Sequence, residues 1–377
     1  MLKFSIKIED LDDVKTFLTH ANTDYISVLA TPYGAYFIAN SLGLYMQYRF
    51  NIIDSVNLDE LQIFRLSRKD LIGLILEGFI KFSINIDEVK VSFRNKSNKE
   101  IYNMKSKYQI DTADEYLRIM DIIEEAQSYP EFNFTSILQL VRFSNTLNRD
   151  ITCYKGKAFI ETKNVSIFKN VQLPDFCCVG KNLSLLSHYT TKVRNVQNYL
   201  IYVGTEISIV ITKSKMVSEP SIDYIKKVKQ HYLVSFTLSK MLGLSKRLRL
   251  NDGELIFDIK HNKVTYKTEL SSYSSDIGII DAKSCKKQKE ETPSQDTDLE
   301  LSDLGSLDFS GNASLDLESI TDSGEIFPVF YIPCDILNKI LAYIPVDQRL
   351  QMLISKNIIV IKANNLFITF GRRDYSE

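Results

Sequence analysis

One order of elements recurs along this chain, and this repetition constrains the fold more than any single motif does. The segment Ser323–Arg373 shows the unit most clearly. An apolar run, Phe327–Ile332, is followed by Asp335, which can cap a short amphipathic helix, Ile336–Tyr343. Three apolar strands divided by turn signals then fill Leu350–Arg372. A helix this short buries little surface alone, so we expect it to pack against the sheet that its own strands form.

Degenerate copies of this β-α-β-β-β module account for nearly the whole chain. The pattern predicts an α+β protein of three similar domains, each built from two modules. The domains are expected at residues 1–115, 131–217 and 231–377, with linkers at 116–130 and 218–230. The first linker has helical spacing and is interpreted as a connecting helix, with an ordered linker as the alternative. The other predicted helices are Leu11–Ala21, Asp70–Leu76, Ser136–Leu147, Leu183–Thr191 and Leu238–Leu244.

The repeated module pattern is interrupted between residues 271 and 324, where Ser, Asp, Glu, Gly and Lys dominate. Lys283–Lys289 is basic, whereas Glu290–Glu325 contains no Lys or Arg. Such a composition buries too little apolar surface to offset chain entropy, so the segment is predicted to be a disordered insertion in the third domain. Two interpretations stay open: a solvated linker, or an acidic-hydrophobic segment that docks on a partner or masks a basic surface.

Composition excludes several classes of protein. The 377 residues are 44% hydrophobic and 25% charged, as in a globular protein of two or three domains. The formal net charge of −1 gives no global basic field. The sequence contains no window of membrane-spanning hydropathy, and the acidic residues from Glu9 onward argue against a signal peptide. The five scattered cysteines lack metal-ligand spacing and indicate reduced thiols in a cytosol-like compartment.

Motifs of catalysis are missing from the sequence. It contains no P-loop, no dinucleotide-binding glycine motif and no zinc-protease motif, and its four histidines lie far apart. Asp10, Asp12 and Asp13 are better explained as the cap and first turn of a helix than as a cation site. A dispersed active site stays open as an alternative, but we expect no enzyme activity, no metal and no cofactor.

Several stretches of this sequence resemble bacterial DNA polymerase III β clamps, in the same order and spacing. Ser323–Leu341 resembles the opening of their last half-domain. Ser214–Val228 resembles their link from the second to the third domain, and Pro130–Thr162 resembles the opening of their second domain. The likeness covers nearly the whole chain outside residues 271–324, and its strength lies in the series rather than in one motif. It implies the DNA clamp fold, with helices lining a ring and sheets outside.

The resemblance also implies function. A ring that encircles duplex DNA stays attached topologically, so its contacts should be few, electrostatic and independent of sequence. Basic residues on or beside the inner helices are the candidate DNA contacts, although each one could instead solvate an exposed face or complement a helix dipole. The DNA-binding candidates are Arg68, Lys69, Arg142, Arg149, Tyr154, Lys192, Arg194, Lys240, Lys246, Arg247 and Lys339. Lys192 and Arg194 are expected at the end of the fourth helix.

In the family, a hydrophobic pocket between the second and third domains receives a short motif from polymerases and the clamp loader. Its elements match Ile222, Tyr224, Lys227 and Val228 in the link and Leu366, Ile368 and Phe370 in the last strand. Domain-interface packing is the alternative for these residues. The family's Asp-Gly-His-Arg-Leu stretch and its Met-Pro-Met-Arg-Leu ending are missing, which indicates a divergent clamp such as a phage encodes.

We therefore expect a homodimeric sliding clamp, a processivity factor that tethers a DNA polymerase to double-stranded DNA. A clamp loader is a further expected partner, and no membrane association is expected. The expected location is the cytoplasm, at the nucleoid, or the host cytoplasm for a phage protein. The main alternative is a clamp-fold scaffold or transcription coactivator that recruits RNA polymerase to DNA. The third hypothesis is an enzyme unrelated to clamps.

Overall fold

The computed structural model confirms the α+β class and the repeated module. It describes residues 3–7, 11–31, 34–50, 52–56, 62–76, 79–85, 90–95, 101–105, 113–162, 165–215, 230–237, 253–269, 272–276, 279–286, 329–333, 337, 339, 343–345, 348–355, 358–371 and 373–374. Predictions that fall on other residues lie outside the described part of the chain. They include the helix Leu238–Leu244 and most of the linker 218–230.

In the first half of the chain, up to residue 170, four helices accompany thirteen described strands. The helices are α1 (Leu11–His20), α2 (Arg68–Leu76), the connecting helix α3 (Ala113–Ala126), and α4 (Leu138–Leu147) after a 3-10 turn, each where the sequence predicts one. The strands are β1 (Lys3–Lys7), β2 (Tyr25–Thr31), β3 (Gly34–Ser41), β4 (Leu44–Phe50), β5 (Ile52–Val56), β6 (Gln62–Ser67), β7 (Phe79–Asn85), β8 (Lys90–Asn95), β9 (Ile101–Lys105), β10 (Glu131–Asn133), β11 (Asp150–Tyr154), β12 (Lys157–Glu161) and β13 (Val165–Asn170).

The second half continues the pattern, with α5 (Gly180–Leu186) as its one fully bounded helix among the described residues. Leu337 and Lys339, within the predicted helix Ile336–Tyr343, are also helical, whereas Tyr343 lies in a turn. The strands are β14 (Phe176–Val179), β15 (Lys192–Val196), β16 (Tyr199–Val203), β17 (Ile207–Thr212), β18 (Gln230–Thr237), β19 (Glu254–Asp258), β20 (Lys263–Lys267), β21 (Ser272–Asp276), β22 (Ile279–Lys286), β23 (Val329–Pro333), β24 (Arg349–Ser355), β25 (Ile358–Ala363), β26 (Leu366–Gly371) and β27 (Arg373–Asp374).

The modules exchange their first strands in pairs. The sheet of the first module, β2-β3-β4, takes β6 from the second module, and the second module's sheet, β7-β8-β9, takes β1 from the first. The same exchange joins the third module to the fourth and the fifth to the sixth. Each half-sheet is therefore completed by a strand from the neighbouring module of its pair.

Antiparallel pairing between last strands then fuses half-sheets into larger sheets. Strand β17 pairs with β4 and makes an eight-stranded sheet, and β13 pairs with β26 within a nine-stranded sheet. The chain accordingly forms two compact units, 1–135 with 181–214 and 136–180 with 215–377, and their boundary passes through the predicted second domain. The division into three domains stays a prediction.

Hydrophobic packing on the sheets explains the two large fusions. On the eight-stranded sheet, α3 contributes Tyr116 and Ile123 to a buried cluster with strand residues such as Tyr45 and Val210. On the nine-stranded sheet, the row Phe159–Phe168–Phe367 crosses three neighbouring strands. The rings of Phe168 and Phe367 stack with centroids 4.9 Å apart across the β13–β26 seam. Burial of these rings favours the paired arrangement of both strands.

Two sequence predictions are wrong in position. The composition predicts disorder from residue 271 onward, but residues 272–276 and 279–286 form β21 and β22, and β22 pairs along most of β18. Such pairing uses backbone hydrogen bonds, so a polar sequence can make it without an apolar signal. The rest of the predicted disordered segment lies outside the described residues. The helix predicted at Leu183–Thr191 begins and ends earlier, as Gly180–Leu186.

Candidate nucleic-acid interface

Helix α4 carries one exposed arginine, and a second exposed arginine follows its end. Its Leu140, Val141 and Phe143 are buried, and the helix packs against β11 and β12. Arg142 lies on the opposite, exposed side. Asn148, a left-handed residue with φ 50°, caps the end of the helix, and the exposed Arg149 follows. Burial of one helix face therefore directs the Arg142 guanidinium to solvent.

Tyr343, in a turn four residues after the helical Lys339, contacts α4. Its hydroxyl lies 2.8 Å from Oγ1 of Thr146, and its carbonyl accepts a hydrogen bond of 3.1 Å from the Gln139 amide. The Tyr343 ring meets the Phe143 ring edge-on, with centroids 5.3 Å apart. Lys339, four residues earlier, is helical and exposed. These contacts bring the segments that carry Arg142 and Lys339 together within one compact unit.

Helix α2 presents Arg68 and Lys69 at its first turn, where both side chains lie at the surface to different extents. Lys69 is exposed, whereas Arg68 is partly buried and its Nη1 donates to the carbonyl of Leu18, at 2.9 Å, near the end of α1. Arg68 therefore neutralises part of the negative end of the α1 dipole. This contact gives Arg68 a structural role beside the predicted one.

Lys192 and Arg194 do not end a helix, and this expectation is wrong. Both lie on β15, because the chain turns after α5 and starts a strand at Lys192. Arg194 is registered opposite Glu131 of β10, and their side chains form an ion pair of 2.8 Å. Its side chain is only 17% exposed. A guanidinium already paired with a carboxylate attracts phosphate less, so the structure favours the packing interpretation for Arg194.

Tyr154 lies on the face of its sheet away from α4. Its partly buried ring packs against the cluster that contains Phe159 and Phe168, and the described members of this cluster all come from strands. The Nζ of Lys155 lies 5.0 Å from the ring centroid. Because α4 packs on the same strands but supplies none of these members, Tyr154 and Arg142 lie on opposite faces. We therefore leave Tyr154 out of the proposed interface.

The three predicted pocket residues of the last strand are buried. Leu366, Ile368 and Phe370 of β26 are at most 2% exposed, and Ile368 is registered between Ile167 and Ile361. This burial fits sheet packing. Ile222, Tyr224, Lys227 and Val228 lie outside the described residues, as do Lys240, Lys246 and Arg247. The pocket and the basic cluster of the fifth module stay predictions.

Sequence reasoning missed a cluster at the end of α1. The rings of His20 and His188 stack with centroids 5.2 Å apart, and Nδ1 of His20 lies 2.8 Å from the Tyr189 hydroxyl. Burial lowers the pKa of His20, and His188 lowers it further. Burial and Asp13 raise the pKa of the Tyr189 phenol. The long separation of His20 and His188 in sequence left no linear signal for this contact.

Neither a metal site nor a membrane span is found in the described part of the chain. Among its residues, no group of three or more His, Cys, Asp or Glu side chains has a metal-binding arrangement. None of the helices described is both long and apolar enough to cross a membrane.

No family model and no curated protein matches the chain. Solved structures do match it over their full length. The DNA polymerase III β chain of Streptococcus pneumoniae is 10% identical with a TM-score of 0.66, and both chains are covered completely. The β subunit of Streptococcus pyogenes DNA polymerase is 12% identical with a TM-score of 0.63, covering 99% of this chain and 100% of that one.

A third structure, the DNA polymerase sliding clamp of Bacillus subtilis, is 9% identical with a TM-score of 0.62, and both chains are covered completely. Sequence identities this low show a similarity of fold alone. The match in fold extends from end to end. The chain therefore has the fold of the DNA polymerase III β-subunit sliding clamps.

Proposed function

We propose that this protein is a sliding clamp, which encircles duplex DNA and tethers a DNA polymerase to it. The observation that carries the proposal is the match of the whole chain to clamp structures. A clamp needs weak, sequence-independent contacts from its helices rather than a tight binding site. The formal net charge of −1 is compatible with this, because only the surface facing DNA has to be basic.

Exposed basic residues on helical segments support a DNA-facing surface. In the second compact unit these are Arg142, Arg149 and Lys339, whose segments Tyr343 holds together. In the first unit, Lys69 occupies the first turn of α2. Lys and Arg side chains at such positions contact phosphates and leave base edges unread. This surface would bind duplex DNA without regard to sequence.

The edges of the sheets support a homodimer. Within the chain, last strands of modules pair with each other, as β4 with β17 and β13 with β26. The last strands of the second and fifth modules, β9 and β21, each lie at the edge of a five-stranded sheet among the described strands. Pairing of β9 from one copy with β21 from another would repeat the same contact, and two such contacts close a ring of two copies.

The test is topological retention on DNA. The purified protein, closed by an engineered crosslink between copies around a relaxed circular plasmid, is expected to remain bound in high salt and to leave after a restriction enzyme linearises the plasmid. A ring holds circular DNA regardless of ionic strength, whereas electrostatic binding weakens as salt rises. Native mass spectrometry of the free protein is expected to show twice the 43.4 kDa of one chain.

Equal loss from circular and linear plasmids would overturn the proposal, as would a strictly monomeric mass at micromolar concentration. The polymerase partner and the loader belong to the same proposal, and polymerase extension assays with the crosslinked ring test them. Capture of RNA polymerase without topological retention would favour the clamp-fold transcription scaffold instead.

A further inference from the structure

Two quasi-equivalent junctions of this protein use a tyrosine hydroxyl in the same way. At one, the Tyr343 hydroxyl lies 2.8 Å from Oγ1 of Thr146, in the last turn of α4. At the other, the Tyr189 hydroxyl lies 2.8 Å from Nδ1 of His20, in the last turn of α1. The two helices align by burial, since Phe17 matches Phe143 when His20 matches Thr146. A titratable imidazole therefore replaces a hydroxyl that does not titrate.

The histidine junction has a second imidazole. The ring of His188 stacks on that of His20 with an interplanar angle of 24°, and the Tyr189 ring meets His20 edge-on at 5.4 Å. His20 is partly buried, so its charged form loses solvation. This arrangement favours the neutral imidazole of His20.

The charged and titratable groups around His20 come from each element packed there. Arg68, at the start of α2, donates to the Leu18 carbonyl beside His20 and adds a positive charge at this helix end. Asp13 of α1 acts on Tyr189 and is the acidic group identified at the cluster. From the turn after α5 come His188 and Tyr189 themselves. Burial and His188 disfavour the imidazolium form of His20.

We infer that the contact between the end of α1 and the turn after α5 is a pH-sensitive junction, closed when His20 is neutral and loosened when it is protonated. Both elements belong to the first compact unit. In the proposed clamp they join the first module to the fourth. The junction at Thr146 and Tyr343 has no such histidine among its described contacts and should keep its strength over the same pH range.

The sign of the pH dependence follows from the lowered pKa of His20. A histidine whose pKa is lower in the folded than in the unfolded state stabilises the junction at pH values above its ordinary pKa of 6.5. This stabilisation is lost as the pH falls below 6.5. Hydrogen exchange on the full-length protein measures the effect. The amides of Ala21 and Tyr189, bonded to Phe17 and Leu186 at 2.9 Å, are the reporters.

Between pH 8 and pH 5.5 we expect their protection factors to fall roughly threefold or more in the wild type. The variant His20→Thr, which copies the other junction, is expected to keep constant protection. His261→Asn is the matched control, because this exposed histidine bonds only locally with Asp258 at 2.7 Å, and it should behave like the wild type.

Equal pH dependence in the wild type and in His20→Thr would overturn the inference. Should His20→Thr fail to fold, the imidazole resonances of the wild type decide instead: a His20 pKa at or above 6.5 contradicts the junction. The result is independent of DNA binding, so failure here would leave the proposed clamp function untouched.

Discussion

At the scale of single residues, the structure separates basic side chains that face solvent from those that already have a partner. Arg142 and Arg149 are exposed beside α4, whereas Arg194 is paired with Glu131 and Arg68 with the Leu18 carbonyl. All four are alike in the sequence, since each is an arginine at or near a predicted helix. Their surroundings alone distinguish them, and this distinction selects the residues for mutation.

Arg142→Glu combined with Arg149→Glu is expected to weaken binding to duplex DNA about tenfold at low salt. The slope of log affinity against log salt should fall by about 1 for each phosphate that the variant no longer neutralises. Fluorescence anisotropy with a short labelled duplex measures both quantities. Lys263→Glu, a charge reversal at an exposed strand position, is the control and should leave the slope unchanged. An unchanged slope in the double variant would remove α4 from the interface.

At the scale of elements, the strands added at sheet edges distinguish this chain from a plain series of modules. Strands β5, β22 and β27 fall outside the six copies of the module, and each extends a half-sheet beyond its exchanged first strand. An added strand pairs the backbone groups of the strand it covers. These additions protect β1, β18 and β23 from pairing with other chains.

Replacement of Ile279–Lys286 by an eight-residue Gly/Ser linker should lower the melting temperature of the protein by several degrees. The change removes the ladder between β22 and β18, which runs from Gln230 to Phe236. The control is the same replacement at Asp296–Asp303, in the part of the insertion that composition predicts to be disordered. Equal melting temperatures for the two variants would show that β22 contributes nothing to stability.

Ser274→Pro in β21 is expected to convert the proposed homodimer into a monomer. Proline lacks the backbone N–H and its ring disturbs the pleat, so a strand that carries it pairs poorly at its edge. Asp54→Pro in β5, an edge strand outside the proposed contact, is the matched control and should remain dimeric. Sedimentation equilibrium gives both masses. A dimer that survives Ser274→Pro would exclude β21 as the contact strand.

At the scale of the whole molecule, repetition is compatible with the proposed clamp function of a nearly neutral chain. The six modules predicted from the sequence would offer six helical positions, so a few basic residues on each would be enough for a weak electrostatic track. In the proposed ring, topological attachment would give affinity a minor part. The pH-sensitive contact at His20 and the threonine contact at Thr146 indicate that equivalent junctions within this repetition have diverged in chemistry.

The sequence alone was sufficient for the module, the α+β class and most helices. Apolar periodicity and turn residues are local signals in the sequence. Equivalent apolar positions of two modules are buried alike, as with Val14 and Phe17 of α1 and Leu140 and Phe143 of α4. The likeness to clamps rested on this repetition together with three stretches that resemble the family in order and spacing. Local patterns could not reveal β15, β22 or β27, because their pairing depends on backbone edges offered by strands distant in sequence.

Only the tertiary structure decided which residues meet. Strand exchange between modules and the β4–β17 and β13–β26 pairs bring together positions more than a hundred residues apart, such as His20 and His188 or Phe168 and Phe367. The charge state and exposure of a side chain follow from such neighbours, so Arg194 became a paired residue and Arg142 an exposed one. Sequence determines what each module can bury, and the long-range pairing determines what its surface can bind.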